Sequence, residues 1–235
     1  ELNEYQKALD DYNKAIELSP DNPNAYFTRG LLYHKLNRYQ KALDDYNKAI
    51  ELDPEDPNAY FTRGLLYHKL NECQEALEDY NKAIERNPDD PNFYYKRGNL
   101  YRKLNEYQKA LDDYNKAIEL DPEDPNAYFT RGLLYHKLNE CQEALEDFNQ
   151  ALELGPDHPD CYYSRGSLYY KLNEHQKALE DFSKAIERNP DDPDCYYSRG
   201  LLYHELNEYQ KALEDFNKAI ERNPDDPDCY YSRGL

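Results

Sequence analysis

Residues 23–56 read PNAYFTRGLLYHKLNRYQKALDDYNKAIELDPED, and the same pattern, lightly edited, restarts at Pro57, Pro91, Pro125, Pro159 and Pro193. A further copy opens at Pro227. A fixed period of 34 residues marks a stacked repeat array. Such arrays grow by adding units that touch only their neighbours, so a length of 235 residues counts repeats and not domains. The chain divides, as one array, into the second half of a repeat (1–22), six full units (23–56, 57–90, 91–124, 125–158, 159–192, 193–226) and the start of another (227–235).

Each unit predicts two helices. All 14 prolines lie in P-x-x-P junctions such as Pro54-Glu55-Asp56-Pro57. The second proline of a junction suits the first helical position, where its missing N–H is not needed. The Asp or Asn before it (Asn22, Asp56, Asp90) is placed to cap the helix. Leu36-Asn37 predicts a break, because Asn accepts the left-handed conformation. A second helix then runs from about Tyr39 to Leu52. The chain has no Val, Trp or Met, and Ile falls once in most units (Ile16, Ile50, Ile84, Ile118, Ile186, Ile220), so no β-branched run exists to build strands. The expected fold class is all-α.

Spacing indicates the buried faces. Tyr26, Gly30 and Tyr33 share one face of the first helix, and Ala42, Tyr46 and Ala49 share one face of the second. Glycine inside a helix costs about 1 kcal/mol against alanine. Its recurrence at one helix position (Gly30, Gly64, Gly98, Gly132, Gly166, Gly200, Gly234) predicts a crossing too close for a side chain. The tyrosines at helical spacing are expected in the core, each with its hydroxyl at the surface.

These residues carry a resemblance. Tyr26-x2-Arg29-Gly30-x2-Tyr33, Ala42-x3-Tyr46, Ala49 and Pro54 match the offsets of the tetratricopeptide repeat, over the whole chain. The resemblance implies an α-solenoid, a right-handed superhelix of antiparallel helix pairs. It also implies peptide binding in a concave groove lined by the first helices. One departure is consistent: Arg stands where the family usually has Leu, at Arg29, Arg63, Arg97, Arg131, Arg165, Arg199 and Arg233.

Arg29 shares a face with Ala25, Leu32 and Leu36 and should be partly buried, which requires a carboxylate partner. Asp recurs at one position of the second helix: Asp45, Asp79, Asp113, Asp147, Asp181 and Asp215, with Asp11 before them. A ladder of structural Arg–Asp pairs follows. Arg97 with Asp113 of its own repeat and Arg97 with Asp79 of the preceding one are both open.

A net charge of -19 disfavours unspecific binding to nucleic acid or anionic membranes. No apolar run reaches the length of a membrane span. No secretory leader is visible, and a start in mid-repeat without Met leaves a lost targeting segment open. Equivalent cysteines (Cys73 and Cys141; Cys161, Cys195 and Cys229) should lie a helix pair apart, beyond disulfide reach. Free, mostly buried thiols suit a reducing compartment, so the expected location is cytoplasmic. No nucleotide-binding, zinc-hydrolase or serine-hydrolase motif occurs. His34, His68, His136 and His204 share one repeat position and cannot converge on one metal. The expectation is therefore no enzyme, no cofactor and no metal site.

The remaining face of the first helix carries Asn24, Phe27, Leu31 and His34. Across repeats it predicts an exposed aromatic row (Phe27, Phe61, Tyr95, Phe129, Tyr163, Tyr197) beside a basic row (Lys35, Lys69, Lys103, Lys137, Lys171). The candidate peptide-binding residues are Phe61, His68, Lys69, Tyr95, Lys96, Asn99, Arg102, Lys103, Phe129, His136 and Lys137. Unit 91–124 departs most from its neighbours and is the most basic, so it is the expected centre. The partner expected there is a protein or peptide with acidic and apolar residues. Recent duplication offers another origin for these rows, since NPDDPDCYYSRG occurs identically at 189–200 and 223–234. The family's chaperone-binding members clamp a carboxylate with Lys and Asn. Here Phe or Tyr fills the Lys position, and only Asn99 matches the Asn. Two function classes stand: an interaction scaffold, and a structural polymer stacking head to tail through complementary half-repeats or forming part of a longer array.

Overall fold

The structure, a computed structural model, describes residues 2–234. Among them fourteen α-helices follow one another: α1 (Leu2–Leu18), α2 (Pro23–Lys35), α3 (Tyr39–Leu52), α4 (Pro57–Lys69), α5 (Cys73–Arg86), α6 (Pro91–Lys103) and α7 (Tyr107–Leu120). The second series comprises α8 (Pro125–Lys137), α9 (Cys141–Leu154), α10 (Pro159–Lys171), α11 (His175–Arg188), α12 (Pro193–Glu205), α13 (Tyr209–Arg222) and α14 (Pro227–Arg233). The chain forms two compact units that meet between Pro122 and Glu123 in the sequence, with α1–α7 in one and α8–α14 in the other. Each is a solenoid of helix pairs.

Local signals set the helix ends. Asn22 Oδ1 accepts the Asn24 amide at 3.1 Å, and Asp56 and Asp90 cap α4 and α6 in the same way. A histidine replaces the usual carboxylate or amide at α10, where His158 Nδ1 accepts the Cys161 amide at 3.3 Å. At the other end Asn37 has φ 57°, and Asn71, Asn105, Asn139, Asn173 and Asn207 match it. Asn37 N–H donates to His34 O and Arg38 N–H to Tyr33 O, which satisfies two terminal carbonyls of α2 in a Schellman turn.

Within a pair the helices cross where glycine allows it. A Cβ built on Gly30 would stand 2.7 Å from a ring carbon of Tyr46, and one on Gly64 3.0 Å from Tyr80. The ring so admitted is fully buried and becomes the centre of the next contact. Tyr46 packs with Ala42 and Leu66, Tyr80 with Ala76 and Leu100, and Phe182 with Ala178 and Leu202. Tyr46, Tyr80 and Phe182 thus each join their own repeat to the next. Burying one such ring stabilises the fold by roughly 1.5–3 kcal/mol.

The hydroxyls correct one expectation. Tyr46 and Tyr80 hold their Oη atoms buried without a hydrogen-bond partner, and not at the surface. Tyr114 Oη instead donates to Asn99 Oδ1 at 2.9 Å. The Tyr46 and Tyr80 rings fill spaces closed by Leu66 and Leu100 of the following repeats, so their para positions point inward. The same position is Phe148, Phe182 and Phe216 in the second unit, all buried.

Candidate functional site

The recurring arginine makes several bonds in its repeat. Arg97 Nε donates to Asp113 Oδ2 at 2.8 Å and Nη2 donates to Asp113 Oδ1 at 2.7 Å, a two-pronged pair within one repeat. Arg29, Arg63, Arg131, Arg165 and Arg199 bind Asp45, Asp79, Asp147, Asp181 and Asp215 in the same way. The third nitrogen reaches backwards. Arg97 Nη1 donates to Asn81 Oδ1 of the preceding repeat at 2.7 Å, as Arg63 does to Asn47 and Arg165 to Asn149. Ser183 Oγ takes this place for Arg199. The guanidinium also lies between two tyrosines, 5.7 Å from the Tyr94 ring and 5.8 Å from Tyr101. The half-buried rings at positions such as Tyr26 and Tyr33 therefore flank a cation.

Across these six pairs the Arg side chains are 15–19% exposed and the Asp side chains 3–7%. Burial lifts the carboxyls of Asp113 and Asp147, and the bonds from Arg97 and Arg131 oppose that lift. Each guanidinium nitrogen of Arg97 donates one bond and each carboxylate oxygen of Asp113 accepts one, so the ensemble ties its repeat to the preceding one.

The opposite face of α2, α4 and α6 is the candidate binding surface of the first unit. Its aromatics are half-buried, which corrects the expected exposed row. Phe27, Phe61 and Tyr95 rest on Tyr46, Tyr80 and Tyr114 with ring centroids 5.9, 5.9 and 6.1 Å apart, and Phe61 also meets Phe93 at 4.7 Å. Packing fixes one edge of each ring and leaves the other towards solvent.

The basic residues gather on α4 and α6. Lys69, Arg102 and Lys103 are exposed, and Lys96 and His68 are half-buried. Burial first, then Lys103 and Lys96, lowers the His68 pKa below its ordinary value, so the three share one neighbourhood. Asn99 is committed to Tyr114 through Oδ1. Phe129, His136 and Lys137 lie on α8 of the second unit. There burial and the charge of Lys171 lower the His136 pKa, and Phe129 rests on Phe148 with centroids 6.1 Å apart.

Sequence spacing did not reveal the acidic wall. A cavity of about 650 Å³ is lined by Asn24, Phe27, Leu31, Asn58 and Thr62 together with Asp53, Glu55 and Asp56 of the junction. The junction carboxylates thus stand beside the aromatic floor at the N-terminal ends of the first helices. The signal was present in the acidic P-x-x-P segments, but only the fold shows what they adjoin.

Family models described as TPR repeat match residues 1–37, 30–71, 66–104 and 98–139, and one described as tetratricopeptide repeat matches 129–193 and 163–227. The chain belongs to the tetratricopeptide repeat family. Among curated proteins no sequence matches. Among solved structures it is similar to YrrB, titled a TPR protein with an unusual peptide-binding site, at 29% identity and TM-score 0.67. That match covers 81% of this chain and 98% of YrrB. MamA is similar at 27% identity and TM-score 0.65, covering 68% and 94%. PilF of Pseudomonas aeruginosa, at 19% identity and TM-score 0.77 over 90% and 96%, shares the fold. Among the described residues no helix is long and apolar enough to cross a membrane.

Proposed function

We propose that this tetratricopeptide array is a non-enzymatic scaffold that holds a peptide or protein segment along the face of α2, α4 and α6. The observation that carries this reading is the row Phe27, Phe61 and Tyr95, anchored from below on buried rings and bordered by Lys69, Lys96, Arg102 and Lys103. Rigid aromatics lose little side-chain entropy on binding, and a charged border directs encounter and register. The peptide-binding site named for YrrB is consistent with it. The partner presents apolar residues to the aromatic floor and acidic residues to the basic border.

The test is fluorescence anisotropy with a labelled acidic-apolar peptide. Lys96→Glu and Arg102→Glu are each expected to weaken binding about tenfold at low salt, since each reversal removes an attraction and adds a repulsion. Equal binding by parent and both variants would remove the assignment.

A further inference from the structure

The face of α2, α4 and α6 has two unlike edges. Each of these helices has 13 residues and crosses the face from a P-x-x-P junction to a Leu-Asn turn. At 1.5 Å per residue the edges are about 20 Å apart. Along the junction edge stand Asp53, Glu55, which faces Arg86 at 3.3 Å, and Asp56, then Asp89 and Asp90. Along the turn edge stand His68 and Lys69, then Arg102 and Lys103. Lys69 and Lys103 are exposed; Lys69 lies over the Tyr39 ring at 4.9 Å and leaves its charge at the surface. Between the edges run Phe27 with Leu31, then Phe61 with Leu65, then Tyr95 with Asn99. Leu31 is 40% exposed and the others are half-buried, so the floor is apolar at α2 and α4 and partly accessible.

We infer that the occupant of this groove is an amphipathic α-helix with an apolar stripe flanked by one basic and one acidic edge, its basic flank on the Glu55/Asp89 side and its acidic flank on the Lys69/Lys103 side. The inference rests on the groove reading above and adds the conformation and charge order of the partner. The conformation follows from the period. A β-strand has two faces, so a strand with its apolar residues on the floor points all the others away from it. A helix turns 3.6 residues per cycle and offers sideways positions on both flanks of its apolar stripe. Its diameter with side chains, about 10–12 Å, fits a floor about 20 Å wide, and long charged side chains reach the two edges.

Charge order also sets direction. Turning the bound helix end for end over the same floor exchanges its flanks, so only one orientation meets both edges with opposite charge. An all-acidic segment satisfies the turn edge and is repelled at the junction edge. Three first helices spaced about 8–10 Å apart span roughly 16–20 residues of such a partner.

The experiment compares three stapled helical 18-residue peptides with the same Leu/Phe stripe. One carries Lys on one flank and Glu on the other, one carries Glu on both, and one mixes Lys and Glu on both. Each is titrated by anisotropy into the whole chain, its Glu55→Lys/Asp89→Lys variant and its Lys69→Glu/Lys103→Glu variant. These four positions are exposed, and the capping residues Asp56 and Asp90 are untouched. The segregated peptide is expected to bind at least tenfold tighter than either control and to weaken at least tenfold with each variant. Circular dichroism confirms that both variants remain helical. Equal or tighter binding of the all-acidic peptide, lost only with Lys69→Glu/Lys103→Glu, would overturn the inference and leave the groove reading standing. Tight binding of the mixed peptide, equal to the segregated one, overturns the charge order in the same way. Failure of all three peptides to bind removes both readings.

Discussion

Replacing Arg97 by Leu, the residue common at this position in tetratricopeptide repeats, is the most informative perturbation of the fold. The variant deletes two bonds to Asp113, one to Asn81 and two ring contacts, and it strands a carboxylate whose side chain is only 7% exposed. Breaking a fully buried pair from one side costs about 3–5 kcal/mol. Arg97 keeps 19% of its surface in water, which places the loss near the lower end, about 3 kcal/mol. For a chain of this size that lowers Tm by roughly 6–12 °C. Adding Asp113→Asn removes the stranded charge and should recover roughly 1–2 kcal/mol, a coupling read from the double-mutant cycle. The pH dependence has a definite sign. Burial already lifts the Asp113 carboxyl, and without Arg97 nothing opposes the lift. A carboxyl with a folded-state pKa above its unfolded value adds stability below the unfolded value and loses it as pH rises through the folded one. The deficit of Arg97→Leu is therefore largest at pH 7 and narrows towards pH 4. Urea denaturation gives the energies, and hydrogen exchange shows whether opening is confined to α5, α6 and α7. A deficit below about 0.5 kcal/mol at pH 7, with unchanged exchange there, would refute the assignment of the pair as a structural element.

Three further outcomes follow from the core and turns. Tyr80→Phe removes an unpartnered buried hydroxyl and should leave the urea midpoint unchanged or raise stability by up to about 1 kcal/mol, while Tyr114→Phe deprives Asn99 of its donor and should cost about 1 kcal/mol. Gly132→Ala gains up to about 1 kcal/mol of helix propensity but sets a methyl 2.9 Å from Phe148 and 3.1 Å from the Asp147 Cβ, so thermal melting should show a net loss of roughly 1–2 kcal/mol. Asn173, at φ 59°, should lose about 1 kcal/mol as Ala and nothing as Gly, measured by the same melts.

The helices were legible because period, proline and capping residue agree at every junction, and Asn37 announces its turn by residue type. The partner of Arg97 was not. Asp79 and Asp113 lie at similar sequence separations on either side of it, and only the tilt of α6 against α7 selects Asp113. A signal for the third bond was overlooked: Asn13, Asn47, Asn81, Asn149 and Asn217 keep step with Arg at a separation of 16 residues. The buried hydroxyls of Tyr46 and Tyr80 were not legible from the single repeat, although Phe148, Phe182 and Phe216 stand at the same position and imply that no bond is required there. On the candidate binding face helical spacing places the aromatic and basic residues on shared faces, but it did not reveal that the aromatics are half-buried. The acidic edge was not, because a junction has no periodicity from which its direction can be read.

The backward reach of each arginine bears on how such a chain changes its copy number. Excising residues 57–90 would join Asp56 to Pro91 and bring Arg97 against Asn47, the partner that Arg63 now holds. Leu100 would settle on Tyr46 as Leu66 does now. The new seam would use the same donor, acceptor and ring as the old one, so gain or loss of a whole block need not be followed by repair elsewhere. A deletion out of step with the 34-residue block would place a polar side chain against the ring and leave the guanidinium facing a gap. Length can drift freely in whole blocks while everything between them is held fast.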